Sequence, residues 1–142
     1  MNRYMLDTNT VSYLVRQHPV VMRRVANVPV ESTCISAITA GELLYGLMRL
    51  PDARRLHRTV TEFLRRVDVL PWEDRTAARY GTLKADMERR GNALGPLDLL
   101  IASHALAVEV VLVTSDRAFN RVVDLRIEDW TVGLDRNGIS PP

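Results

Sequence analysis

Four carboxylates stand where this chain can do chemistry. Asp7 follows the run Arg3-Tyr4-Met5-Leu6, and Asp116 follows Val110-Val111-Leu112-Val113 with Thr114-Ser115 between. Glu42 falls in the first turn expected for the helix after Thr33-Cys34-Ile35-Ser36. Asp98 is the only charge in the first two turns of the most apolar helical stretch, 97–108. In open α/β sheets the functional groups gather outside the carboxyl ends of the strands, so all four can point into one crevice. Acidic groups converging there repel and raise one another's pKa unless a cation sits among them. A hard divalent ion with oxygen ligands, Mg²⁺ or Mn²⁺, is the natural answer. Such an ion activates water and neutralises charge on a phosphodiester. Thr8, Asn9, Thr114 and Ser115 stand close enough in sequence to orient its waters.

Each position also has a plainer reading as a helix N-terminus, where acids satisfy free N–H groups and the dipole. Thr39-x-x-Glu42 reads as a capping box, and for Glu42 that reading leads. Asp7 and Asp116 suit an N-cap as well as a ligand. Asp98 leans towards function, because a charge among Leu97, Leu99, Leu100 and Ile101 is costly without a partner.

The elements that must position these groups alternate short apolar runs with longer helical ones, which predicts α/β. Strands are expected at 3–6, 33–36, 69–70, 110–113 and 126–130, with 110–113 the best candidate for a central parallel strand. Helices are expected from about 8 to before Pro19, over 20–26, after Thr39, over 52–67, over 73–90 and over 97–108. Gly91 fits the C′ position of the fifth, and Pro96 the first turn of the sixth. In the 52–67 helix Leu56, Val60, Phe63, Leu64 and Val67 share one face and Arg54, Arg55, Arg58, Arg65 and Arg66 the other. That Arg face reads as a solvated surface, with an RNA-binding rim as the minor reading.

The chain has 142 residues, 46% hydrophobic and 25% charged, which suits one folded domain and excludes a mainly disordered chain. Net charge is 19 − 17 = +2, too weak to argue for nucleic acid by itself. No apolar run reaches the ~20 residues of a membrane span. The N-terminus lacks a signal-peptide pattern, and Cys34 is the lone cysteine, so a reducing, cytosolic setting is expected. Cys34 reads as inert core, His104 as a packed or hydrogen-bonded residue, and Trp72 and Trp130 as packing rather than base stacking.

The strings MLDTNTVSYL (5–14), SAITAGELLYG (36–46), GPLDLLIASHA (95–105) and LVTSDRAF (112–119) resemble the four acidic motifs of PIN-domain ribonucleases. More narrowly they are similar to the VapC toxins of bacterial toxin–antitoxin modules, in order and spacing from Met1 to about Trp130. The resemblance implies a PIN-like three-layer α/β fold, with a central mainly parallel sheet flanked by helices, as a single domain over 1–132 and a flexible tail over 133–142. It implies that Asp7, Glu42, Asp98 and Asp116 form the metal-binding and catalytic cluster of an Mg²⁺-dependent endoribonuclease. Glu42 is the candidate general base. A homodimer, an RNA substrate of the tRNA class, and a cognate antitoxin whose tail occupies the site are implied as well. Where some members carry a further acid after the fourth motif, this chain has Phe119 and Asn120. Asn120 can orient a hydrated ion but adds no charge, so one ion is expected. Two other classes compete: a non-catalytic module of the same fold, and aspartyl-phosphate transfer at Asp7. Asn9 replaces the second Asp that the latter's motif requires.

Overall fold

Each short apolar run becomes a strand, and all five pair in parallel. The computed structural model describes residues 2–133 and gives β1 (Tyr4–Leu6), β2 (Thr33–Ser36), β3 (Asp68–Leu70), β4 (Val111–Val113) and β5 (Ile127–Glu128). The sheet order is β3-β2-β1-β4-β5. Met5 lies opposite Cys34 on one side and Leu112 on the other, and Leu6 lies opposite Val113. β1 takes the middle place, and the strongly β-prone β4, paired in parallel on both sides, is an interior strand as expected. Strand propensity sets which residues form strands, while the crossover connections set where each strand lies.

Side chains alternate across the strands, and both faces are buried. Met5, Cys34 and Leu112 point to one core with Leu83, Met87, Leu99, Ile101 and Phe119. Leu6, Ile35 and Val113 point to the other with Val11, Leu43, Leu47, Val60 and Trp130. Helices α5 (Asp74–Arg89) and α6 (Pro96–Val108) supply the first layer. Helices α1 (Thr8–Val15), α3 (Ala37–Arg49) and α4 (Arg54–Arg66) supply the second, and α2 (Pro19–Ala26) packs beside α1. The result is the expected three-layer α/β arrangement.

The punctuation follows the local chemistry. Gly91 takes φ 69° at C′ of α5, and the bonds from Gly91 N–H to Glu88 O and from Asn92 N–H to Met87 O close the helix end. Burial pushes the Cys34 thiol up to about 11, so it is inert core. The five arginines of the polar face of α4 are exposed, and two of them, Arg65 and Arg66, pair with Glu62 at 3.3 and 2.8 Å. Among the described residues no helix is long and apolar enough to cross a membrane. Of the expected tail, residues 134–142 lie outside the described residues.

One boundary corrects the sequence reading. Helix α3 starts at Ala37, not beyond Thr39, because Ser36 at the end of β2 accepts the Ile38 N–H at 3.1 Å and is the N-cap. Thr39 is therefore buried inside the helix and Glu42 falls in its second turn. The capping box does not form, and the plain explanation for Glu42 goes with it.

Candidate active site

The four carboxylates arrive by different routes. Asp7 ends β1 and caps α1, its Oδ1 accepting the Thr10 N–H at 2.8 Å. Its backbone N–H donates to Val113 O at 3.0 Å, which ties it to the end of β4. Asp116 lies just after β4 and caps the 3₁₀ turn Arg117–Arg121, its Oδ1 accepting the Ala118 N–H at 2.9 Å. Capping uses only Oδ1 in each, so the capping role and a ligand role are compatible.

Asp98 is different. It sits in the first turn of α6, where Gly95 is the N-cap without a side-chain bond. Among the described residues its carboxylate takes no hydrogen bond. A Cβ added at Gly95 would lie 3.6 Å from Asp98 Oδ2, so the glycine keeps the approach to that oxygen clear. Glu42, half-buried on α3, has Oε1 held by the Thr8 hydroxyl at 2.9 Å.

The charges of the four act on one another. Asp7 is only 4% exposed, and burial pushes its carboxyl above the ordinary carboxylate range. Hydrogen bonds from Thr114 and Thr10 pull it back, and the charge of Asp116 raises it further. Asp98 is also raised, first by burial and then by the charges of Asp116, Asp7 and Glu42. Among the described residues no Arg, Lys or His pairs with any of the four, Arg117 included.

Asp7 is buried, Glu42 and Asp98 are half-buried and Asp116 is exposed. Such a set of hard oxygen donors, with no paired cation among the described residues, fits a hard divalent ion. Among the described residues no three His, Cys, Asp or Glu side chains stand together so as to hold a metal ion. A bound Mg²⁺ would take its remaining ligands from water, as it usually does.

Of the auxiliary residues, Thr114 belongs to the cluster: it is buried, bonds to Asp7, and accepts the Asp116 N–H at 3.0 Å. Asn9 and Asn120 are exposed and Ser115 is half-buried, and among the described residues none bonds to the four acids. Sequence reading missed Thr10 and Thr39. Thr10 binds Asp7 through its N–H and Val113 O through its hydroxyl at 3.0 Å, and Thr39 Oγ1 lies 3.5 Å from Thr8 Oγ1. The Asp-x-x-Thr spacing at 7–10 signalled the first, whereas nothing local signalled the second. A groove of about 550 Å³ between Val15-Arg16-Gln17 and Arg54-Arg55-Leu56 contains none of the acids.

The raised carboxyls have a stability consequence. A folded state that holds its protons more tightly than the unfolded chain loses stability as pH rises from the ordinary carboxylate range through the raised values. Asp98→Asn is therefore expected to raise Tm near neutral pH in EDTA, with the gain shrinking as Asp98 becomes protonated in acid. A thermal-shift series from about pH 4 to about pH 8 checks this. A gain that does not change with pH contradicts it.

Comparison with known proteins adds the relatives. A family model described as "PIN domain" matches residues 4–125. The tRNA(fMet)-specific endonuclease VapC of Salmonella typhimurium is 37% identical over 131 residues, which span 92% of this chain and 99% of that protein. Ribonuclease VapC2 of Haemophilus influenzae is 35% identical over 131 residues, with the same coverage of 92% and 99%. Among solved structures, DNA-bound VapBC from Salmonella typhimurium superposes with a TM-score of 0.85 at 36% identity, covering 92% of this chain and 99% of that one.

Proposed function

The chain belongs to the PIN-domain family as a VapC ribonuclease toxin of the type II toxin–antitoxin systems, and from that membership we propose that it cuts RNA at the cluster of Asp7, Glu42, Asp98 and Asp116. The observation that carries this reading is the shared field at Asp98, where three other carboxylates act together and no basic side chain among the described residues pairs with it. Aspartyl-phosphate transfer is set aside by the same membership.

Asp7, Asp98 and Asp116 are the residues that would hold a divalent ion, Mg²⁺ or Mn²⁺. When bound, such an ion supplies positive charge against the phosphodiester and activates water. Glu42 acts as the general base. The Thr8 hydroxyl occupies Oε1 and fixes the carboxylate, which leaves Oε2 to take a proton from the attacking water. The water oxygen bonds to phosphorus as the ester P–O bond breaks, and the leaving oxygen takes its proton from solvent. Thr114 holds Asp7 and Asp116 in register through one hydroxyl.

The substrate class is tRNA, following relatives described as tRNA(fMet)-specific. The partner is a cognate antitoxin, as in the VapBC complexes, and its tail fills the acidic mouth. Leu44, Tyr45 and Met48, 51%, 64% and 77% exposed on α3, give apolar surface for a partner chain or for a homodimer. A reducing, cytosolic setting fits the single buried thiol.

The test is cleavage of a tRNA pool by antitoxin-free protein with Mg²⁺, with Mn²⁺ and with EDTA. Discrete fragments are expected with either ion, none in EDTA, and recovery on adding excess Mg²⁺. The ion should also raise Tm, since a ligand at about a hundred times its Kd stabilises the native state by about 2.7 kcal/mol. Undiminished cleavage in EDTA overturns the metal assignment.

A further inference from the structure

Two of the acids stand on helices that meet at one buried polar contact. His104 on α6 is fully buried, and its Nδ1 lies 2.7 Å from Ser36 Oγ. Ser36 is also fully buried, ends β2, and caps α3 by accepting the Ile38 N–H. Asp98 lies six residues before His104 on α6, and Glu42 six residues after Ser36 on α3. One hydrogen bond therefore joins the start of α3 to the middle of α6, the two acid-bearing helices. Burial holds the His104 imidazole below its ordinary range, so the contact is between neutral groups. On the other side of the ring the Pro71 carbonyl is near, yet Nε2 makes no hydrogen bond of regular geometry.

An apolar side chain would fill this place without burying polar atoms, and an incompletely paired imidazole is a cost to the fold. What the imidazole adds is direction. Its bond to Ser36 accepts one arrangement of the two helices, where apolar packing tolerates several.

We propose that His104 and Ser36 are positioning residues for RNA cleavage, their hydrogen bond setting the placement of Asp98 relative to Glu42. This rests on the acid cluster being the cleavage site. Neither residue touches the substrate. Loosening the bond lets α6 shift against α3, and the carboxylates then no longer present one joint site. Partners that orient ligands in this way are commonly worth about 10- to 100-fold in metal affinity or activity.

The experiment uses the full-length, antitoxin-free protein and four variants: His104→Phe, which keeps a ring without nitrogens; His104→Asn, which keeps a hydrogen-bonding group; Ser36→Ala; and the double variant His104→Phe/Ser36→Ala. Readouts are Tm, the Mn²⁺-induced shift in Tm, and kcat and KM on a tRNA pool. For folded His104→Phe and Ser36→Ala, kcat should fall about 10- to 100-fold with a weaker Mn²⁺ shift. KM should stay within about twofold, because substrate binding is untouched. The double variant should be no worse than the worse single, and His104→Asn should recover part of the loss. A kcat and Mn²⁺ shift at the wild-type level in folded His104→Phe overturns the proposal, as do fully additive losses in the double variant. If His104→Phe does not fold, His104→Asn and Ser36→Ala carry the same comparison. Asp98→Asn is run beside them. If it too cleaves normally, the acid-site reading fails; if it is inactive while the His104 and Ser36 variants are active, only the present inference fails.

Discussion

Asp98→Ala is expected to leave a folded protein that cuts RNA about a thousandfold more slowly or not at all. The size follows from losing several kcal/mol of charge stabilisation in the transition state, at about 1.4 kcal/mol per tenfold in rate. The fold has little reason to suffer. Among the described residues Asp98 takes no hydrogen bond, and Ala is a better helix former than Asp. The lost attraction to the helix dipole, about 0.3–1 kcal/mol, is opposed by relief from the charges of Asp116, Asp7 and Glu42. Asp7→Ala should be equally inactive but less stable, since it removes the N-cap bond to Thr10, worth about 1 kcal/mol. Cleavage rate and Tm measured on the same preparations separate the two effects. Full activity in folded Asp98→Ala would remove this residue from the site.

Trp130→Ala should be the most damaging single change to the fold. The indole is 2% exposed and closes one core together with Leu6, Val113 and Val60. Its ring lies 5.2 Å from that of Tyr4, and the Arg24 guanidinium stands 5.8 Å from its centroid. Nε1 donates to Glu128 Oε1 at 3.0 Å, the same oxygen that Arg24 reaches at 3.4 Å. Truncation opens a large cavity and breaks up this group, at about 3–5 kcal/mol. In a chain of this length that lowers Tm by roughly 10 °C or more. Trp72, half-buried and edge-on to Tyr80 at 6.0 Å, should cost clearly less when replaced by Ala. Calorimetry on the two variants tests the ranking. A stable Trp130→Ala that has lost RNA binding would favour base stacking over packing.

Much of the fold was legible because its signals are local. The short apolar runs at Met5-Leu6 and Leu112-Val113, the all-round apolarity of α6 and the amphipathic period of α4 need only their own neighbours. Gly91 and the caps at Asp7 and Asp116 are equally local. The start of α3 misled because Thr39-x-x-Glu42 and Ser36 offer competing caps, and the winner is decided by where β2 ends and by what Ser36 meets across the core.

The strands and helices were set by local sequence signals, as were two acids just after strands, Asp7 and Asp116, and two near helix starts, Glu42 and Asp98, within a chain of PIN-domain pattern. Only the tertiary structure decided that β1 takes the centre, that Thr8 holds Glu42, that Thr114 links Asp7 to Asp116, and that His104 meets Ser36. Periodicity tells a side chain which face it occupies. It does not tell it which distant residue shares that face, because that choice is made by close packing of whole elements, where one arrangement buries the apolar surface and satisfies the polar atoms together.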